Sequence, residues 1–346
     1  MSNLIKPNIL KKWDTIWILS PSWPIAWMIP HRFENWISYL KKMWFKVKIA
    51  KNCLKVNWYT AGSIEERIND IHELFLDNNV KAIICTIWGF HSNQLLKYID
   101  YSIIKNNPKI FIWFSDITVL HFAFYVKSNL CTYYWPALLT QFAEYPKMLS
   151  YTEKYFYKAL LSNESIWKIL PSQKWTDELL NWFQKKDLDR PRKMKKNNWY
   201  EFLKKWKAEW ILLWWCITSI LHLRGTEYWP NFKNTLFFWE IPESSCDLSK
   251  WEPISRIDTH LTDLELSWIF NKISWMIIWR PKWYTENDIS LLKEIIYNKF
   301  INYNFPILFW IDIWHTDPII TLPIWIKWKI DSYNKSFEIL ESWTNW

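Results

Sequence analysis

The sequence predicts an α/β protein with an N-terminal domain built on a parallel sheet and a C-terminal domain of mixed α/β structure. The chain has 346 residues and half of them are apolar, which is enough for two cores of ordinary size. In the first half, short apolar runs alternate with longer amphipathic stretches, the pattern of βα units around a parallel sheet. Strand-like runs return after a basic, Lys-rich connection. The predicted divisions are residues 1–150, 151–205 and 206–346.

The elements of each domain follow from these runs. The first domain has predicted strands at residues 16–20, 46–50, 82–86 and 110–114, and predicted helices at 32–43 and 63–78. The second has predicted strands at 211–213, 235–238, 275–279 and 306–311, and a helix at 286–300. Because open α/β sheets bind ligands at the carboxyl ends of their strands, polar residues that follow these runs are the candidates for a site.

The composition is abnormal in two residue types. The chain has 31 Trp and 3 Gly, whereas about 24 Gly are expected at the usual share of roughly 7%. Trp13, Trp44, Trp206 and Trp210 precede strands, at turn positions where glycine is common. We therefore hypothesise that many Trp letters stand where the working protein has Gly, through UGA codons that the organism reads as glycine. Trp175 and Trp229 lie in contexts that suit an aromatic residue, and Trp239 has no clear glycine counterpart.

Charge and cysteine usage favour a cytoplasmic protein that binds neither nucleic acid nor membrane. The net charge is +9, and most of it comes from one Lys- and Arg-rich segment at residues 185–196. This segment contains Pro191 and is followed by two Asn residues, so it is interpreted as a solvated linker. The five cysteines are scattered without metal-binding spacing, which predicts buried thiols and no metal site. No apolar run approaches the roughly 20 residues that span a bilayer, and no signal peptide is apparent.

Ser115 is the candidate nucleophile. It follows an apolar run in the segment FIWFSDIT and precedes a helical stretch. A serine at such a turn presents its hydroxyl above the sheet and leaves the next backbone N–H free for an oxyanion. A plain helix N-cap is the alternative. Trp113 occupies the crowded position where this turn usually has glycine.

A nucleophilic serine needs a base and an acid that orients the base. His315 is the candidate base because it follows a strand and precedes a loop that contains a proline. Glu240 is the candidate acid because it ends the apolar run TLFFWE. The other histidines lie in helical or loop contexts and are interpreted as structural or solvated: His31, His72, His91, His121, His222 and His260.

These segments together resemble the serine peptidases of the LD-carboxypeptidase and microcin C self-immunity family, over nearly the full chain. The matching segments are KWDTIWILSPSWP, CTIWGFHSNQLL, NPKIFIWFSDITVL, YYWPA, WWCITSILHLRGTEYWP, TLFFWE and DIWHTDPIITLPIW, in the order of the family. Departures are mostly Trp in place of Gly, at Trp23, Trp88, Trp113, Trp135, Trp214, Trp215, Trp314 and Trp325.

The resemblance implies a catalytic triad of Ser115, His315 and Glu240, with Glu243 as the alternative acid. It implies an oxyanion site from the backbone N–H groups of Asp116 and of the pair formed by Trp88 and Gly89. The implied N-terminal domain is Rossmann-like and similar to class I glutamine amidotransferases.

The implied protein is a homodimer that needs no cofactor. Its implied substrate is a murein tetrapeptide L,D bond or the amide of a microcin C-like aminoacyl nucleotide. Two alternatives remain: a Trp-rich ligand-binding protein without catalysis, and an inactive relative.

Overall fold

The structure, a computed structural model, describes residues 4–86, 89–134, 136–162, 167–198, 200–204, 207–240, 252–312 and 316–345. The strands in these residues are β1 (Thr15–Leu19), β2 (Lys46–Ile49), β3 (Val80–Cys85), β4 (Ile110–Ile112), β5 (Tyr133–Tyr134), β6 (Trp167–Lys168), β7 (Lys174–Trp175), β8 (Lys195–Lys196), β9 (Glu201–Lys204), β10 (Lys207–Cys216), β11 (Thr235–Glu240), β12 (Trp275–Trp279), β13 (Ile307–Ile311), β14 (Leu322–Pro323), β15 (Lys327–Asp331) and β16 (Ser336–Ile339). The α-helices are α1 (Ile25–Met28), α2 (Pro30–Lys42), α3 (Ile64–Leu76), α4 (Tyr101–Asn106), α5 (Thr118–Ser128), α6 (Ser150–Leu161), α7 (Ile217–Leu221), α8 (Ile254–Leu266) and α9 (Glu286–Phe300).

The first sheet is parallel, as predicted, except at one edge. Its strand order is β14-β5-β4-β3-β1-β2, and β14 pairs antiparallel with β5. Strands β3 and β4 are apolar and buried along nearly their whole length, because helices cover both faces of a parallel sheet. Since β14 comes from the C-terminal part of the chain, this sheet joins the two halves of the sequence.

The second sheet has both parallel and antiparallel strands, and together with α8 and α9 it confirms the mixed α/β structure predicted for the second half of the chain. Its order is β6-β16-β15-β10-β11-β12-β13-β9, in which β10 to β13 run parallel and the flanking strands are antiparallel. Strands β11 and β12 are fully buried, and α9 has the bounds predicted from its periodicity. The N-terminus of α9 is fixed by a capping box between Thr285 and Asp288.

The basic segment at 185–196 is not simply a solvated linker, so that interpretation is wrong in part. Its lysines are exposed, but Asp187 and Arg192 are largely buried and form ion pairs. Asp187 binds Arg32 of α2 at 2.6 Å. Arg192 binds Glu144 and Asp317, each at 2.7 Å. The sequence of a charged segment does not show which distant residues its side chains pair with, which is why the burial was not predicted. These ion pairs attach the segment to both halves of the protein.

Several Trp residues occupy left-handed backbone. Twelve non-glycine residues of the described part have positive φ, and seven of these are Trp, with φ from 55° to 74°: Trp13, Trp44, Trp58, Trp268, Trp283, Trp310 and Trp325. Bulky residues rarely adopt this conformation, which costs about 1–2 kcal/mol. The turn-position prediction is confirmed for Trp13 and Trp44. It is wrong for Trp210, which lies inside β10, and Trp206 lies outside the described residues.

Two of these residues end helices in the same way. After α2, Trp44 N–H donates to Lys41 O at 3.0 Å and Phe45 N–H to Leu40 O at 3.2 Å. This is a Schellman motif, whose left-handed residue is usually glycine. After α8, Trp268 N–H donates to Glu265 O and the next N–H to Leu264 O, so Trp268 has the same role there. Both indoles are exposed, by 50% for Trp44 and 68% for Trp268, so core packing does not account for either.

Candidate active site

Ser115 lies on a tight turn between β4 and α5. Its φ is 58°, which places a non-glycine residue in the left-handed region, and its side chain is only 7% exposed. Strained backbone of this kind is concentrated at functional sites, and a nucleophile elbow requires it. The N-cap alternative fails, because the residue that caps α5 is Ile117 and no side chain caps that helix.

Tyr134 connects Ser115 to Glu240. The backbone N–H of Ser115 donates to the Tyr134 hydroxyl at 3.2 Å, and that hydroxyl donates to Glu240 Oε1 at 3.4 Å. Thr118 Oγ1 lies 2.8 Å from the same oxygen. Burial, and then the nearby Glu240 charge, raise the pKa of Tyr134 well above its usual value, so the phenol keeps its proton and remains a donor.

The fold explains this meeting of residues from different sheets. Ile112 of β4 pairs with Tyr133 of β5, so the next residue, Tyr134, lies beside the end of β4. Glu240 is the last residue of β11 and is fully buried. The carboxyl ends of β5 in the first sheet and β11 in the second therefore meet at Tyr134 and Glu240. Tyr134 lies in the segment YYWPA, and no local sequence signal predicts its role.

Asp116 and Gly89 are the predicted sources of oxyanion N–H groups, and the Asp116 side chain is hydrogen-bonded to residues that follow Gly89. The Asp116 carboxylate accepts from the backbone N–H groups of His91 and Ser92, at 3.0 and 2.9 Å. The loop that contains Gly89 is thereby attached to the residue after Ser115. Three other predicted site residues, Trp88, Glu243 and His315, lie outside the described residues.

The chain on both sides of His315 is held by buried polar groups. Before it, Asp312 pairs with Arg280 at 2.6 Å, and both side chains are fully buried. Ser172 and Asn197 also donate to Asp312. After it, Asp317 binds Arg192 and accepts from Gln141 Nε2 at 2.9 Å. Asp312 and Asp317, which flank the candidate base in the sequence, are therefore both held by buried partners.

His121 of α5 is buried and structural. Its Nε2 lies 2.8 Å from Trp113 O, and burial lowers the pKa of His121 to about 3. A ring that stays neutral can donate one hydrogen bond to that carbonyl, which supports the backbone two residues before Ser115. The Trp113 side chain is fully buried and stacks on Phe114, with ring centroids 4.7 Å apart.

A cavity of about 230 Å³ adjoins the elbow. Phe114, which precedes Ser115, lines it together with Trp23 and Trp182. The ion-paired side chains Arg32, Asp187, Arg192, Glu144 and Asp317 also line it. The cavity is thus bounded by both domains and by the basic segment, and it combines aromatic surface with charge.

Within the described part of the chain, no group of three or more His, Cys, Asp or Glu side chains is arranged to hold a metal ion. No helix in that part is long and apolar enough to cross a bilayer. Cys53, Cys85, Cys131 and Cys216 are buried free thiols, as predicted, and Cys246 lies outside the described residues.

The chain is similar to known proteins over nearly its whole length. Residues 16–135 match the LD-carboxypeptidase N-terminal domain and residues 215–330 match the LD-carboxypeptidase C-terminal domain, both of peptidase family S66. The microcin C7 self-immunity protein MccF of Escherichia coli is 32% identical over 337 residues, which cover 95% of this chain and 94% of MccF. The putative carboxypeptidase YocD of Bacillus subtilis is 33% identical over 336 residues, covering 95% and 97% of the two chains.

A solved structure extends the match to three dimensions. The structure of MccF in complex with glutamyl sulfamoyl guanosine has a TM-score of 0.89 and 29% identity, and the match covers 98% of this chain and 99% of that one. Two domain matches, full-length relatives and the shared fold lead to one conclusion: the chain belongs to the LD-carboxypeptidase family, peptidase family S66.

Proposed function

We propose that the chain is a serine-type amide hydrolase in which Ser115 is the nucleophile, His315 the base and Glu240 the acid that orients it. The observation that carries the proposal is the left-handed backbone of Ser115 at the end of β4. The connection from Ser115 through Tyr134 to Glu240 supports Glu240 over Glu243 as the acid.

The proposed reaction has two steps. Ser115 Oγ attacks the substrate carbonyl while His315 takes its proton, and the N–H groups of Asp116 and Gly89 bind the developing oxyanion. The carbon–nitrogen bond then breaks, the proton passes from His315 to the leaving nitrogen, and an acyl ester remains on Ser115. A water molecule, deprotonated by His315, hydrolyses the ester and restores the serine.

The proposed substrate is the amide-type bond of an aminoacyl nucleotide. Two features support it: MccF, similar over nearly the whole chain, is known in complex with glutamyl sulfamoyl guanosine, and the cavity beside Ser115 has the aromatic surface that a nucleobase stacks on. The L,D bond of a murein tetrapeptide is the second candidate, because the family is that of the LD-carboxypeptidases.

We also propose that glycine replaces Trp at many positions in the working protein. The seven left-handed Trp residues support this, above all Trp44 and Trp268 in their Schellman motifs. Buried indoles give independent support, because a buried N–H group normally has an acceptor. Within the described residues, and apart from Trp239, which has no clear glycine counterpart, seven buried indole N–H groups lack one: those of Trp17, Trp36, Trp113, Trp275, Trp279, Trp310 and Trp325. Trp175, by contrast, donates to Lys196 O at 3.2 Å.

Hydrolysis assays test the catalytic proposal. Protein purified from its source should release glutamate from glutamyl sulfamoyl guanosine faster than D-alanine from a murein tetrapeptide. Ser115→Ala should abolish release. Ser128→Ala is the matched control, because Ser128 is another buried serine of the same domain, at the far end of α5. Retained hydrolysis in Ser115→Ala would exclude Ser115, and no hydrolysis by the parent would favour the binding protein or the inactive relative.

Peptide masses of the native protein test the glycine proposal. Peptides that contain Trp44, Trp268 or Trp325 should have masses for glycine, whereas the peptide with Trp175 should keep the mass for tryptophan. Tryptophan masses throughout would refute the proposal. The homodimer, the cytoplasmic location and the closer likeness to class I glutamine amidotransferases stay predictions.

A further inference from the structure

The carboxylate of Asp116 joins three separate loops of the first domain. Besides the N–H groups of His91 and Ser92, Asp116 Oδ2 accepts a hydrogen bond from Ser22 Oγ at 2.6 Å. Ser22 follows β1, His91 and Ser92 follow β3, and Asp116 follows β4. One oxygen atom therefore connects the loops at the ends of three neighbouring strands.

This carboxylate is well compensated despite its burial. Asp116 is 3% exposed, and an unpaired charge in such a place would be costly. The three donors replace water, and hydrogen bonds to an ionised acceptor are about twice as strong as neutral ones. Arg67 adds favourable charge, and its guanidinium binds Pro21 O and Gln94 Oε1, each at 2.9 Å. The loops after β1 and β3 are thus bound by Asp116 and also by Arg67.

Gly89 packs directly against Ser22, the serine whose hydroxyl donates to Asp116. A Cβ atom at Gly89 would lie 2.0 Å from Ser22 Oγ and 3.0 Å from Trp23 N. Contacts this short exclude any side chain, so the Gly89 backbone packs against the loop after β1. The position of the Gly89 N–H relative to Ser115 therefore depends on the contact that Asp116 holds between Ser22 and residues 91–92.

We propose that the Asp116 side chain is a positioning group for the oxyanion site, a role separate from that of its backbone N–H. The inference rests on the proposed function, in which the N–H groups of Asp116 and Gly89 bind the same oxyanion. The carboxylate sets the distance between the two donors, because it is attached to one donor residue and binds the loop of the other. Such donors act only when they are pre-positioned, and the loss of one costs about 10²–10³ in kcat.

A purely structural carboxylate would give a different result on substitution. Loss of such a carboxylate would lower the stability of the protein, but the protein that does fold would carry out the chemical step at the same rate. A positioning group acts on the transition state, so its loss lowers kcat while the binding of the ground-state substrate stays the same. The split between kcat and KM, together with ground-state affinity, separates the two roles.

The test is Asp116→Asn, which keeps the side-chain volume and removes the charge. We expect kcat for glutamyl sulfamoyl guanosine to fall about 10- to 100-fold, with KM changed less than about twofold. In a Ser115→Ala background, Asp116→Asn should leave the affinity for that compound unchanged. Ser22→Ala removes one of the three donors to Asp116 and should lower kcat by a smaller factor. This variant replaces Asp116→Asn in the test if Asp116→Asn does not fold.

Asp70→Asn is the matched control. Asp70 is also a buried aspartate of the first domain, and it accepts hydrogen bonds from the backbone and side chain of Asn52, away from Ser115. Its substitution should lower stability without changing kcat. The inference is wrong if Asp116→Asn keeps full kcat, or if kcat falls equally in Asp70→Asn. Hydrolysis retained in Ser115→Ala, or absent in the parent, would instead refute the proposed function, and the inference with it.

Discussion

Tyr134 donates a hydrogen bond to Glu240 across the boundary between the two sheets, with 3.4 Å between the oxygens. The same phenol accepts the backbone N–H of Ser115. With Thr118 as a further donor, the hydroxyl has two donors and one acceptor, which uses its full hydrogen-bonding capacity. The proposed nucleophile and the proposed acid are therefore held by one atom.

Tyr134→Phe should lower kcat about tenfold, because Glu240 loses a hydrogen bond worth roughly 1.5 kcal/mol and its orientation toward the base becomes less fixed. Steady-state kinetics with glutamyl sulfamoyl guanosine measure this. Tyr133→Phe is the control, since Tyr133 is equally buried but its hydroxyl donates to Trp343 O, away from Glu240. Equal losses of kcat in both variants would contradict the role given to Tyr134.

Trp268→Gly should raise the free energy of unfolding by about 1 kcal/mol in protein made with Trp at every printed position. Glycine removes the left-handed strain, and the exposed indole contributes little packing. Urea denaturation measures the change. Trp175→Gly should instead lower stability by about 2 kcal/mol, because it removes a hydrogen bond and the contact of Arg280 with the indole ring, 4.8 Å away. A loss of stability in Trp268→Gly would count against glycine at that position.

Arg192→Met should lower the free energy of unfolding by about 3–5 kcal/mol. The substitution leaves Glu144 and Asp317 buried without their shared cation. KM should rise as well, because all three side chains line the cavity. Arg190→Met, in the same segment, breaks an ion pair with Glu178 in which Arg190 is 42% exposed, and should cost less than about 1 kcal/mol. Similar losses of stability in Arg192→Met and Arg190→Met would show that the buried ion pairs do not attach the basic segment to the rest of the protein.

Acid should destabilise the fold through His121. Burial lowers the pKa of this ring to about 3 in the folded state, against 6.5 in the unfolded chain. Below pH 6.5 the unfolded state binds a proton that the folded state does not, so stability falls as pH drops from 6.5 toward 3, by up to about 1.4 kcal/mol per pH unit. His121→Gln keeps a donor for Trp113 O and should flatten this slope. His222→Gln, at an exposed ring, should leave it unchanged, and an unaltered slope in His121→Gln would contradict the account.

The sequence was sufficient to predict what depends on local pattern. Buried parallel strands are continuous apolar runs, so β1, β3, β4 and β12 were found close to their observed bounds. The two-residue strands β5 and β14 were missed, because only their pairing partners define them. In the site, Ser115 was identified from the strand-to-helix turn. The role of Tyr134 was not, because it arises from the register between β4 and β5 and from Glu240, more than 100 residues away.

Buried charge was the least predictable feature. Arg192 and Asp187 lie in a run that looks solvated by composition, and their partners Glu144, Asp317 and Arg32 are distant in sequence. No local signal distinguishes them from the exposed lysines beside them. The Asp116 side chain was missed for a related reason, since its three donors come from two other loops.

The most direct test of the central claim is one fragment spectrum of the tryptic peptide of residues 110–127, taken from native protein treated with a fluorophosphonate. This peptide contains Ser115 and a single Trp letter, Trp113. The account predicts that the probe is attached to Ser115 and that position 113 has the mass of glycine. An unlabelled Ser115 in protein that hydrolyses its substrate would contradict the serine mechanism, and a tryptophan mass at position 113 would contradict glycine at the elbow.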